Sequence, residues 1–109
     1  VGRIKDMVIR GGENIYPREV EEFLYGHPSI ADVQVIGVPD PKYGEELMAW
    51  VQLHPGTSLT IDELRAFCAG KLAHYKIPRY LHVTDTFPMT VTGKVRKIEM
   101  RERATELLG

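Results

Sequence analysis

Two stretches of the chain alternate between apolar and polar positions. From Ala31 to Val38, Val33 and Val35 alternate with Asp32 and Gln34; from Leu47 to Leu53, the row Leu47, Ala49, Val51, Leu53 is interleaved with Met48, Trp50 and Gln52. A period of two sends successive side chains to opposite faces of a pleated strand, so both stretches read as strands. Between them Pro39-Asp40-Pro41-Lys42-Tyr43-Gly44 is dense with breakers and reads as a loop. The two strands are therefore expected to be antiparallel neighbours. Trp50 and Met48 face away from the Leu47 row and cover the sheet's other side or an interface.

Three segments carry helical spacing instead. Pro17 suits a first helical position and Glu19, Glu21 and Glu22 favour its positive N-terminal end. Val20, Phe23 and Leu24 share one face, and Gly26 and Pro28 stop the helix. Thr60 followed by Glu63 is a capping box that starts a second helix. Its buried face is read as Ile61, Leu64, Phe67, Cys68, Leu72 and Tyr75, ending before Pro78. Arg79 to Thr84 reads as a third strand with Leu81 and Val83 on one side, reached by a crossover. The last helix spans Val95 to Leu108; its thin apolar stripe of Ile98, Leu107 and Leu108 predicts light packing.

At the front, Met7-Val8-Ile9 and Glu13-Asn14-Ile15-Tyr16 flank Gly11-Gly12 and predict a β-hairpin. A lone hairpin of this size is marginal in water and must lean on the domain or on a partner. The fold class expected is α+β: a small central sheet of about three strands flanked by helices, with an N-terminal β-hairpin.

Composition narrows the picture only modestly. At 109 residues, the chain suits one domain. Fourteen basic against fifteen acidic side chains give a net charge of −1, so no overall field favours nucleic acid or an anionic membrane. No apolar run approaches a membrane span. Cys68 is the only cysteine, so no intrachain disulfide forms, and a reducing, cytoplasmic setting is expected. The chain begins at Val1, which suggests a piece of something larger. The four histidines, His27, His54, His74 and His82, show no metal-ligand spacing, and no metal site is expected.

The stretch with the most chemical interest is Thr92-Gly93-Lys94. Gly93 frees the backbone just before Lys94, whose ammonium is a compact charge with three donors, suited to a phosphate or carboxylate oxygen. It is not a phosphate-binding P-loop, because Pro88 and Val95 occupy the places where that pattern needs glycine and Ser or Thr. Alone, the tripeptide is also an ordinary solvated turn.

Read in order with Gly2-Arg3-Ile4-Lys5-Asp6, Gly11 to Glu21, Gly37-Val38-Pro39-Asp40, Gly44-Glu45 and Tyr75-Lys76-Ile77-Pro78, the tripeptide completes a series. That series resembles the C-terminal domain of the adenylate-forming enzymes: acyl-CoA synthetases, luciferases and the adenylation domains of peptide synthetases. Arg10 to Pro17 is most similar to fatty-acyl-CoA synthetases of the medium-chain type. The resemblance implies that residues 1–109 are the mobile lid domain of an AMP-forming ligase. The acyl- and ATP-binding N-terminal domain, its partner, would lie outside this chain. It implies fatty acid, ATP with Mg²⁺, and CoA as substrates of the whole enzyme, with none expected to bind or turn over on this piece alone. Lys94 matches the adenylation lysine, Lys5 the hinge, and Arg3 the arginine near the nucleotide's ribose and phosphate. Gly11, Gly12, Glu13 and Asn14 match the surface that swings in toward the CoA thiol. One departure is Ile9, where luciferases and plant coumarate ligases carry a second lysine, so no second catalytic lysine is assigned. Two other readings stay open: transfer to a carrier-protein thiol, and a non-catalytic interaction module.

Plainer roles suit other residues. Tyr75-Lys76-Ile77-Pro78-Arg79 could guide CoA phosphates, but an exposed helix end with charged flanks suffices, and Lys42 has the same status. Asp62 and Glu63 serve the helix start, and Cys68 is a small core residue.

Overall fold

A computed structural model describes residues 7–89, 91–93 and 95–108. The element order is β1 (Val8–Arg10), β2 (Glu13–Ile15), α1 (Pro17–Leu24), β3 (Ile30–Asp40), β4 (Gly44–Leu53), α2 (Ile61–Cys68), a 3₁₀ turn (His74–Lys76), β5 (Tyr80–Val83) and α3 (Lys97–Leu108). The fold is α+β as expected, with a two-stranded hairpin and a three-stranded sheet in the order β3-β4-β5. β3 and β4 are antiparallel, with Val35 opposite Ala49. β5 pairs parallel to β4, with Met48 opposite Tyr80, and α2 lies in the crossover.

The alternation places two cores on the two faces of this sheet. Val33, Val35, Leu47, Ala49 and Val51 point to one face, where Val20 and Leu24 of α1, Leu64 and Cys68 of α2, and Val8 and Ile15 of the hairpin cover them. Ile36, Val38, Met48 and Trp50 point to the other, covered by Met100 and Ala104 of α3 and by Phe87. Trp50 and Met48 thus cover the sheet's second side, one of the two readings open from the pattern. Burial raises the Cys68 thiol's pKa above its ordinary value, in keeping with a packing role.

The elements depart from the sequence reading at several points. β3 runs on through Pro39 and Asp40, so the connection to β4 shrinks to residues 41–43. β3 is an edge strand, where proline is tolerated. The Asp40 carboxylate tightens the turn by accepting the N–H groups of Lys42 at 3.0 Å and Tyr43 at 2.8 Å. α2 stops at Cys68: Ala69 is extended and Gly70 has φ +79°. Leu72 and Tyr75 still pack against the same core, but from the following turns. In β5, Leu81 packs inward while Val83 is exposed.

The last helix departs furthest. Ile98, Leu107 and Leu108 are exposed, and the buried residues are Met100 and Ala104. The capping box of α2 forms as read: Glu63 N–H donates to Thr60 Oγ1 at 3.2 Å, and Thr60 N–H to Glu63 Oε1 at 2.8 Å.

Because Met100 is fully buried, Met100→Ala is expected to cost about 2–5 kcal/mol in urea denaturation. Ile98→Ser is expected to change stability by no more than about 0.5 kcal/mol. The packing of β5 gives a pH test. The His82 ring lies edge-on to Trp50, 4.6 Å between centroids, and burial lowers its pKa from 6.5. The unfolded chain then binds a proton that the folded chain resists. Stability is expected to fall as pH drops through 6.5 toward the lower folded value, and His82→Phe should flatten that slope.

Candidate functional site

The hairpin turn needs a left-handed backbone at both central positions, and Gly11 and Gly12 supply it with φ +58° and +87°. Each strand is only three residues long, so the hairpin's own ladder is short. It leans on the β3–β4 pair. Val8 and Ile15, opposite each other, are both fully buried. Val8 sits directly against Gly37 of β3, where an added Cβ would come within 2.9 Å of the valine side chain and of Glu45 Oε2.

Three polar tethers complete the attachment. Ile9 N–H donates to Glu45 Oε1 at 2.8 Å, and Arg10 Nε donates to Glu46 Oε1 at 2.8 Å. Gly11 N–H donates to the carbonyl of Tyr43 at 2.8 Å. The Arg10 guanidinium also stacks over the Tyr43 ring, 3.9 Å from its centroid. Side-chain exposure is 15% for Arg10 and 2% for Glu46, so this pair is largely withdrawn from water. The hydrogen bond to Glu46 raises Arg10 further above its ordinary pKa, so it stays cationic at any working pH.

The expected thiol-facing residues therefore stand at a rigidly seated tip: Gly11, Gly12, Glu13 and Asn14 are all exposed. The side chain of Ile9 is exposed as well. Beside the tip opens a cleft of about 390 Å³. It brings together Arg10, Arg65, Arg79 and His74 with the carboxylates of Glu46 and Asp62. Arg65 is partly committed, donating from Nη1 to the Pro78 carbonyl at 3.2 Å. Glu46 Oε2 is buried and has no hydrogen-bond partner among the described residues. Sequence reading missed Arg10, Arg65 and Glu46. Arg65 sits in a helix whose apolar face drew the attention, and the Arg10–Glu46 pair is separated by 36 residues. Lys76 is turned away from the cleft toward α1, with Nζ 2.9 Å from Glu19 Oε2; that hydrogen bond raises its pKa.

The Thr-Gly-Lys segment is elsewhere on the chain. Its base is closed by a bridge between Met89 and Val95, and by Arg96 N–H donating to the Pro88 carbonyl at 2.8 Å. Val91, Thr92 and Gly93 are exposed, and Gly93 takes φ +88°. Lys94, Lys5 and Arg3 lie outside the described residues. Among the described residues, no group of three or more His, Cys, Asp or Glu is arranged to hold a metal ion, and no helix is long and apolar enough to cross a membrane.

The hairpin is thus seated on a three-stranded sheet, and an exposed stretch, Val91, Thr92 and Gly93, precedes the last helix. The model of the AMP-binding enzyme C-terminal domain matches residues 19–94, and the chain belongs to that family. It is 60% identical over 106 residues to YngI of Bacillus subtilis (strain 168), provisionally named an acyl-CoA synthetase, covering 97% of this chain and 19% of that protein. It is 52% identical over 108 residues to the mitochondrial medium-chain acyl-CoA ligase ACSF2 of Danio rerio, covering 99% of this chain and 18% of that protein. Among solved structures, apo MatB from Rhodopseudomonas palustris superposes with a TM-score of 0.91 at 34% identity, covering 99% of this chain and 22% of that one. The chain thus spans about a fifth of the length of the curated relatives it matches.

The seating of the hairpin can be tested directly. Arg10→Met strands a buried carboxylate and is expected to destabilise the fold by about 3–5 kcal/mol in chemical denaturation. Replacing both partners, as in Arg10→Met with Glu46→Leu, should recover much of that loss, because no unpaired charge is then buried.

Proposed function

We propose that residues 1–109 are the C-terminal domain of an ATP-dependent, AMP-forming ligase that joins medium-chain fatty acids to CoA, and that the domain works with two faces in turn. The acyl pocket and the main ATP site belong to a larger N-terminal domain. The names of the relatives support this chemistry, and the covered fraction of their length supports the division of labour.

The first face is the loop that carries Lys94. In adenylation, a carboxylate oxygen of the acid attacks the α-phosphorus of Mg-ATP. The acyl–phosphate bond forms, and pyrophosphate leaves with the electron pair of the broken P–O bond. Two anions are forced together, so a cation aimed at the developing charge lowers the barrier. Lys94 supplies it, and Arg3 approaches the ribose and phosphate of the nucleotide. Mg²⁺ arrives with ATP as part of the substrate.

Lys5 is the pivot on which the domain then turns. The second face is the hairpin tip. The CoA thiolate attacks the acyl carbon, the thioester forms, and AMP departs. Gly11 and Gly12 let the backbone approach the thiol's path with no Cβ in the way, and Glu13 and Asn14 line it. The arginines of the adjoining cleft suit the phosphates of CoA. Ile9 brings no charge, so this step proceeds without a second lysine. The buried Cys68 thiol suits a reducing compartment, which we take to be the cytoplasm.

The observation that carries this reading is the Met89–Val95 loop, closed at its base and exposed through Val91, Thr92 and Gly93. The test is Lys94→Ala in the full-length protein. Carboxylate-dependent pyrophosphate exchange is expected to fall by about 10²–10³-fold. Thioester formation from preformed acyl-adenylate should persist. Equal loss of both half-reactions, or of neither, would defeat the assignment.

A further inference from the structure

The carboxylate of Glu21 is shared by three elements. Its Oε2 accepts the backbone N–H of Val35 at 2.8 Å and lies 2.8 Å from Nζ of Lys97. Glu21 belongs to α1, which covers one face of the sheet, and Lys97 opens α3, which covers the other. Val35 lies on β3, the edge strand between them. The Glu21–Lys97 bond therefore runs around the rim of the sheet and clasps its two layers. The side chains are only 14% and 21% exposed, so salt and water screen the pair less than on an open surface.

Capping an edge N–H needs only an acceptor, and a neutral amide oxygen would serve. The charge pair does something further. Lys97 is the first residue of α3, so the clasp fixes where that helix begins. Lys94 lies three residues earlier. The bridge between Met89 and Val95 and the Arg96–Pro88 hydrogen bond hold the two arms of the loop to each other. The Glu21–Lys97 bond ties those arms to α1 on the opposite side of the sheet.

We propose that Glu21 and Lys97 are positioning residues for adenylation: without touching substrate, they set the point from which Lys94 is presented. This rests on the role proposed for Lys94. The hairpin tip has its own tethers, to Glu45, Glu46 and Tyr43, so the clasp bears on one half-reaction and not on the other.

The experiment uses the full-length enzyme with Glu21→Gln, Lys97→Met and Lys97→Arg, and with Lys97→Met added to Lys94→Ala. Glu21→Gln keeps an acceptor for Val35 and removes only the charge. A displacement of about 1 Å at a reacting centre can cost on the order of 10²-fold, so Glu21→Gln and Lys97→Met are expected to lower pyrophosphate exchange by about 10- to 10²-fold. Lys97→Arg should recover most of the loss. Thioester formation from preformed acyl-adenylate should stay near wild type, which also reports that the variants fold. On the Lys94→Ala background Lys97→Met should have no further effect, since a group already removed cannot be misplaced. Parallel loss of both half-reactions, wild-type exchange in Glu21→Gln and Lys97→Met, or a loss that multiplies with Lys94→Ala would overturn the proposal. Should Lys97→Met fail to fold, Glu21→Gln and Lys97→Arg decide it alone. A wild-type enzyme without exchange, or an unaffected Lys94→Ala, would count instead against the role of Lys94 itself.

Discussion

The pairing of β3 with β4 is the constraint on which the rest of this domain depends. Both strands bury side chains on both faces, so the sheet must be covered twice, by α1, α2 and the hairpin on one side and by α3 on the other. A strand with no solvated face cannot slip by one residue without exchanging the contents of two cores. The register is thereby locked, and with it the positions of Gly37, Glu45 and Glu46 along the two strands. Those are the residues on which the hairpin is seated.

Apolar packing alone would not orient what is attached to such a sheet, because the hydrophobic effect has no direction. Two largely shielded ion pairs serve that purpose. Arg10 meets Glu46 under the hairpin, and Lys97 meets Glu21 at the start of α3. Withdrawing charges from water is costly, and such pairs are not a reliable source of net stability. Their value here is geometric, since each fixes one attachment at a defined point.

Much of this was legible in the sequence, and for local reasons. The alternation in β3 and β4, the Gly11-Gly12 turn and the Thr60–Glu63 cap are all decided within a few residues, and all formed as read. The errors arose where tertiary context overrode a local signal. Leu72 and Tyr75 kept a helical spacing because they reach the same core as α2, although Gly70 had already ended the helix. In α3 the buried pair is Met100 and Ala104, one flexible and one small, and neither stands out in the sequence until Ile36, Val38 and Trp50 are known to face them. In the candidate site, Gly11 to Asn14 could be singled out as a turn. The Arg10–Glu46 and Glu21–Lys97 pairs could not, since their partners lie 36 and 76 residues apart and nothing local links them.

Gly37 has a consequence of its own. It is the socket into which Val8 fits, and the lack of a side chain there lets the hairpin lie flush on the sheet. Mounting and tip are thus separate in the design: one depends on the socket and its tethers, the other projects into open solvent. Natural divergence, or an engineer, can rewrite residues 12 to 14 while the foundation stays untouched. Any residue larger than glycine in the socket would tilt every such tip alike, whatever its wording.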